Sequence, residues 1–178
     1  MKRYLKLLAL CLGLSLLLVV SGYNDVKKRA DTVDTWQQIE QKKRVVIGLD
    51  DSFVPMGFRQ KDGRLVGYDI DLAKEVFKLY GITPDFQTID WSMKETELRN
   101  QTIDLIWNGY TKTDERAKNV AFSQPYLKNE QYLVSKKSQQ IINDSAMKGK
   151  ILGLQSGSSG YQAYLDEPKV LKQYVKET

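Results

Sequence analysis

The sequence predicts an α/β protein built on a parallel sheet, and three observations carry that prediction. Val45-Val46-Ile47-Gly48-Leu49 is a continuous β-branched run, the pattern of a strand covered on both faces. Behind it, Ile70, Ala73, Phe77 and Tyr80 recur at helical spacing. Strand-like and helix-like stretches then alternate at residues 85–89, 93–101 and 103–107. That alternation implies a parallel sheet, with ligands expected at the carboxyl ends of its strands.

The first 22 residues differ from the rest of the chain. Lys2, Arg3 and Lys6 are basic, and Leu7 to Val20 is an uncharged run of 14 residues. Such a run is short for a spanning helix of about 20 residues but suits the core of an export signal. Val20-Ser21-Gly22 supplies a small-residue exit, and the alternative is an apolar anchor that stays in place. The same three residues resemble the start of a lipobox, yet Tyr23 stands where the acylated cysteine would be. Cys11 is the only cysteine and lies inside the apolar core, so a lipid anchor is not expected.

With the signal removed, net charge falls from +5 to about +2, and neither histidine nor cysteine remains. Disulfide scaffolds, thiol catalysis and the usual His/Cys metal sites are excluded, so no metal or cofactor is expected. No aromatic-interleaved basic stripe points to nucleic acid.

Taken in order, residues 23–43 read as a polar tether ending in a short helix near 35–41. The strand at 45–49 leads into a loop through Pro55 and Gly57, and Lys61-Asp62-Gly63-Arg64 predicts a hairpin turn. Asp69 is expected to cap the helix that ends near Gly81, with Pro84 beyond it. Residues 131–137 are extended and leave this region, and a helical turn follows at 144–148. Lys150-Ile151-Leu152-Gly153-Leu154 reads as a strand, and Gln155-Ser156-Gly157-Ser158-Ser159-Gly160 opens a helix through 161–165.

The stretch Thr113-Asp114-Glu115-Arg116 places one arginine in the first turn of a helix just after the third strand. A fixed guanidinium beside free backbone N–H groups is suited to a carboxylate. With the export signal, it points to capture of a small anionic or zwitterionic molecule outside the cytoplasm. The alternative is an exposed helix arginine paired with Asp114 or a neighbour.

Five segments together resemble the solute-binding proteins of polar amino-acid ABC importers. They are residues 45–50, Gly63-Arg64-Leu65-Val66-Gly67-Tyr68-Asp69-Ile70-Asp71-Leu72-Ala73, residues 103–106, residues 113–126 and residues 155–160. The resemblance implies a bilobed, type II periplasmic-binding-protein-like fold, with a first lobe at 44–132, a hinge at 133–137 and a partial second lobe at 138–178. It implies a monomer that closes on an amino acid and delivers it to a membrane permease, at the cell surface or in the periplasm. The chain stops before most of the second lobe of a family member, so it is expected to be a truncated form and a poor binder by itself.

Carried over residue by residue, the resemblance makes Arg116 the grip on the ligand's α-carboxylate, a bidentate role that lysine cannot fill. Asn108, Gly109 and Thr111 follow the third strand and would offer backbone groups and a hydroxyl. Phe53 and Trp91 would form aromatic walls. Gln155 and Ser158, beside Ser159, would face the ligand from a helix N-terminus, the alternative being plain capping by serine. Asp51 and Asp50 are further candidates that could instead face solvent or cap a turn, while Tyr68, Asp69 and Asp71 read as structural. Two other readings stay open: an enzyme on the same fold acting on a small carboxylic acid, and an extracellular sensing domain.

Overall fold

The computed structural model describes residues 34–176. The expected export signal, Cys11, Tyr23 and the first part of the polar tether lie outside the described residues.

The frame is a parallel three-stranded sheet with β1 (Arg44–Leu49) at its centre, between β5 (Thr83–Thr88) and β6 (Leu105–Ile106). β5 pairs with β1 over six residues, from Arg44↔Thr83 to Leu49↔Thr88. Pro84 sits inside β5, although its ring cannot donate to a ladder. An edge strand tolerates this, because only one of its sides is paired. β6 is shorter than the sequence pattern predicts. The Asp104 carboxylate takes the Val46 N–H at 2.7 Å, which a ladder carbonyl would otherwise accept.

Both faces of the sheet are covered, as the β-branched run requires. Val45, Ile47, Ile39, Ala73, Phe77 and Ile82 form one buried cluster, which includes residues of α1 (Trp36–Lys42) and α2 (Tyr68–Lys78). On the opposite face Gly48 lies directly against Ile103 and Ile89. β2 (Ser52–Phe53), β3 (Gly57–Arg59) and β4 (Leu65–Val66) make a small antiparallel sheet, and β3 and β4 are the expected hairpin.

α2 starts two residues earlier than expected, with Gly67 at its cap and Asp69 in its first turn. The Tyr68 and Asp69 N–H groups are taken by the carbonyls of Pro55 and Met56, at 3.0 and 2.9 Å. Asp69 therefore has no capping to do, and its carboxylate turns inward to accept from the Tyr126 hydroxyl at 2.7 Å. After β5, a 3-10 turn (Trp91–Met93) runs into α3 (Lys94–Arg99); α4 (Asp114–Ala117) follows β6.

The last part of the chain is sparser. A 3-10 turn at Asp144–Met147 and α5 (Ser159–Asp166) are present, but residues 150–154 form no strand, only a single bridge at Ile151. Met147 and Leu152 are its buried apolar side chains, while Val134, Ile142 and Ile151 are largely exposed. With little apolar surface to bury, extended backbone here finds few partners. No helix among the described residues is long and apolar enough to cross a membrane.

Candidate functional site

Because β1 and β6 are parallel neighbours, their carboxyl ends emerge side by side. Asn108 stitches them: its Oδ1 accepts the Asp50 N–H at 3.2 Å, and the residue is 1% exposed. Gly109 turns the chain at φ +57°, and a Cβ there would stand 2.9 Å from Cε1 of Phe53. Only glycine takes that backbone cheaply and lets the aromatic ring close over the turn.

Arg116 occupies the last turn of α4, a helix of four residues. Its own N–H is capped by Thr113 Oγ1 at 3.2 Å, so one of the backbone donors expected to be free beside the guanidinium is already used. The guanidinium is fixed from three sides. Nη1 donates to Thr111 O at 2.9 Å, Nη2 donates to Gly157 O at 3.0 Å, and the group lies 4.6 Å from the centre of the Tyr110 ring. Tyr110 is itself stacked on Phe122 and meets Trp91 edge-on, and its hydroxyl donates to Glu95. Burial, reinforced by that carboxylate, pushes the Tyr110 phenol up from its ordinary pKa, so the ring stays neutral under the cation. Among the described residues no carboxylate pairs with Arg116, Asp114 included.

The far wall comes from residues 129–131 and 153–160. Gln155 Nε2 donates to Asp50 Oδ2 at 2.6 Å, and Thr111 Oγ1 meets Ser159 Oγ at 3.3 Å. Asn129 donates to Thr111 Oγ1 at 2.8 Å, and Gln131 to Ser159 Oγ at 3.1 Å. Ser158 caps α5, its hydroxyl accepting the Tyr161 N–H at 3.0 Å.

These elements enclose a cavity of about 350 Å³. Phe53, Trp91, Asn108, Gly109, Thr111, Arg116, Gln155 and Ser158 all line it, and so do Asp50 and Ser159. Asp51 does not. Its carboxylate is held by Arg59 Nε at 2.5 Å and Thr88 Oγ1 at 2.9 Å, and the Arg59 guanidinium keeps it below the usual carboxylate range. Alternation along an extended chain explains the difference, since neighbours point to opposite sides.

The sequence alone does not mark Asn129, Glu130 and Gln131 as lining residues; of the three only Gln131 falls in the extended segment expected to leave the sheet. Nor does the sequence mark Lys94, which is 2% exposed and lies 5.2 Å from the centre of the Trp91 ring. Burial lowers the pKa of the Lys94 ammonium, and the charge of Arg116 adds to the effect against the opposing pull of Glu95. Its place three residues after Trp91 was the available signal.

Beneath the site, Asp69 is 1% exposed. Burial raises its pKa, against the Tyr126 hydroxyl and the nearby Gly109 and Trp107 N–H groups, which favour the charged form. Neither N–H closes a bond of good geometry, and Asp69 Oδ2 is left without a partner.

Known amino-acid-binding proteins resemble this chain in sequence and fold. A histidine-bound substrate-binding protein of an ABC uptake transporter from Streptococcus pneumoniae shares 56% identity at a TM-score of 0.78, covering 80% of this chain and 58% of that one. The arginine-binding extracellular protein ArtP of Bacillus subtilis is 35% identical over 117 residues, 66% of this chain and 46% of the relative. The L-cystine-binding protein TcyA of the same organism is 30% identical over 165 residues, 90% of this chain and 61% of the relative. The chain thus spans about half the length of the curated relatives it matches. The family model for bacterial extracellular solute-binding proteins, family 3, matches residues 45–177, and the chain belongs to that family.

Proposed function

We propose that this chain carries the principal part of an amino-acid-binding site, in a monomeric exported protein that hands its ligand to the permease of an ABC importer. The observation that carries the reading is Arg116. Its guanidinium lines the cavity, is aimed by Thr111 O and the Tyr110 ring, and has no carboxylate partner among the described residues. Two of its five N–H donors go to carbonyl oxygens, which leaves donors for an incoming carboxylate. Asp50 and Glu130 line the same cavity, so it carries both signs of charge and suits a zwitterion. The relatives bind histidine, arginine and cystine, which fits the same class of ligand. Phe53 and Trp91 supply apolar walls that strengthen the polar contacts by excluding water.

Binding without chemistry is favoured over an enzymatic role. Lys94, whose pKa burial lowers, spends its protons on the carbonyls of Trp91 and Gly157 and is not poised to exchange one with a ligand. We assign residues 44–132 to the first lobe, 133–137 to the hinge and 138–178 to part of the second, as the sequence suggests.

The test is an NMR titration of the 178-residue chain with the common L-amino acids at millimolar concentration. Acetate and methylamine serve as single-charge controls. Shifts confined to the amides of Gly109, Thr111 and Arg116, with weaker responses to both controls, are expected. If every amino acid leaves those amides in place, the reading fails.

A further inference from the structure

Lys94 opens α3 from a buried position, and the binding scheme above leaves it without a task. Its ammonium donates to Trp91 O at 3.1 Å and to Gly157 O at 3.0 Å, with Glu95 Oε1 at 3.7 Å. Arg116 Nη2 reaches the same Gly157 oxygen at 3.0 Å. One carbonyl from the far wall is therefore held by two cations of the near wall. The approach is close. A Cβ on Gly157, whose φ is +70°, would stand 3.0 Å from Ser92 Cα and 3.4 Å from Lys94 Nζ.

A buried ammonium is costly unless its donors are used. Gly157 O is one of the acceptors that meet this demand, so lifting the turn away would strand a buried charge. We propose that Lys94 is a positioning residue that latches the 155–160 turn over the cavity through the Gly157 carbonyl. This deepens the proposed function, since the latched turn carries Gln155, Ser158 and Ser159, but the latch stands whatever the ligand is. Sharing the acceptor has a purpose. When a ligand carboxylate draws the Arg116 guanidinium towards itself, Lys94 keeps hold of Gly157 O and the wall stays in place.

Amide hydrogen exchange on the ligand-free 178-residue chain tests the latch without reference to any amino acid. The reporters are the Tyr161 and Gln162 amides, bonded to Ser158 Oγ and Ser158 O at 3.0 and 3.1 Å. An eight-residue helix is marginal once undocked, so these amides open when the turn leaves. In Lys94→Met they should exchange at least about tenfold faster while the Ile47 amide is unchanged. Lys94→Arg, which keeps a cationic donor, should recover most of the protection. Unchanged reporter exchange in a Lys94→Met chain with intact Ile47 protection overturns the proposal. If Lys94→Met loses the β1 protection as well, Gly157→Ala decides, because it pushes the turn off Ser92 without removing the buried cation. There the slowly exchanging ammonium signal of Lys94 should disappear in lysine-selective nitrogen spectra, and its persistence overturns the latch. Failure of every amino acid to bind beside an intact latch would sink the proposed function and leave this inference standing.

Discussion

Truncating Arg116 to alanine separates what the guanidinium does for the protein from what it does for a ligand. In the free protein it makes two hydrogen bonds to carbonyls, worth about 1.5–3 kcal/mol each because the donor is charged, and a stacking contact on Tyr110 worth about 0.5–1 kcal/mol. Those terms hold the 155–160 turn and the Tyr110 ring; none touches the Val45–Ile47 core, so the fold survives. A carboxylate ligand adds charge-assisted bonds at about 1.5–3 kcal/mol each. At about 1.4 kcal/mol per factor of ten, losing one costs at least about tenfold in affinity, and losing a bidentate pair costs about a hundredfold or more. Arg116→Lys keeps the charge but not the fork, and should fall between wild type and Arg116→Ala. The assay is a titration with L-histidine or L-arginine, read on the Gly109 and Thr111 amides, with circular dichroism as the check on folding. A folded Arg116→Ala chain that binds within about threefold of wild type would refute the carboxylate role, because no contact of the stated strength could vanish at so small a cost.

Two further outcomes follow from the geometry. Gly109→Ala forces a side chain onto φ +57° and drives Phe53 from the cavity wall, so it should cost about 1 kcal/mol in chemical denaturation and weaken ligand binding as well; equal stability would contradict the turn described. Asp69→Asn should stabilise the protein by an amount that depends on pH. The folded pKa of Asp69 lies above its ordinary value of 3.8, so the folded chain holds the proton more tightly and this carboxyl's contribution declines as pH rises from 3.8 through the raised value. The stability difference between the Asp69→Asn variant and wild type should therefore grow in the variant's favour over that window, and a flat difference would remove the burial argument.

Much of the near wall was legible because its residues sit at fixed offsets from strand ends. The run at 45–49 announces a central strand, and the turn after 103–107 must then emerge beside it, which brings Asn108, Gly109 and Thr111 to Phe53. Arg116 was legible from its residue type and its place after a strand, although one of the backbone donors beside it is capped by Thr113. Asp51 was misplaced because the two adjacent aspartates differ only in the side of the chain they face, and sequence alone does not choose the register. Asn129 to Gln131 were missed for another reason. They belong to no periodic element, and their partners, Thr111 and Ser159, lie 18 and 28 residues away. Lys94 gave a helix-start signal at most, because its burial depends on a carbonyl 63 residues later.

The two walls of the cavity are made differently, and this bears on rates. The near wall grows from the ends of β1 and β6, which are anchored in the sheet, so a ligand that has entered meets a floor that needs no rearrangement. The far wall is held by a handful of polar contacts, Gln155 to Asp50, Ser159 to Thr111 and Gly157 to its two cations. Entry and escape past that wall both require those contacts to open, so substitutions that weaken the far wall will shorten the residence time of a ligand without slowing its capture.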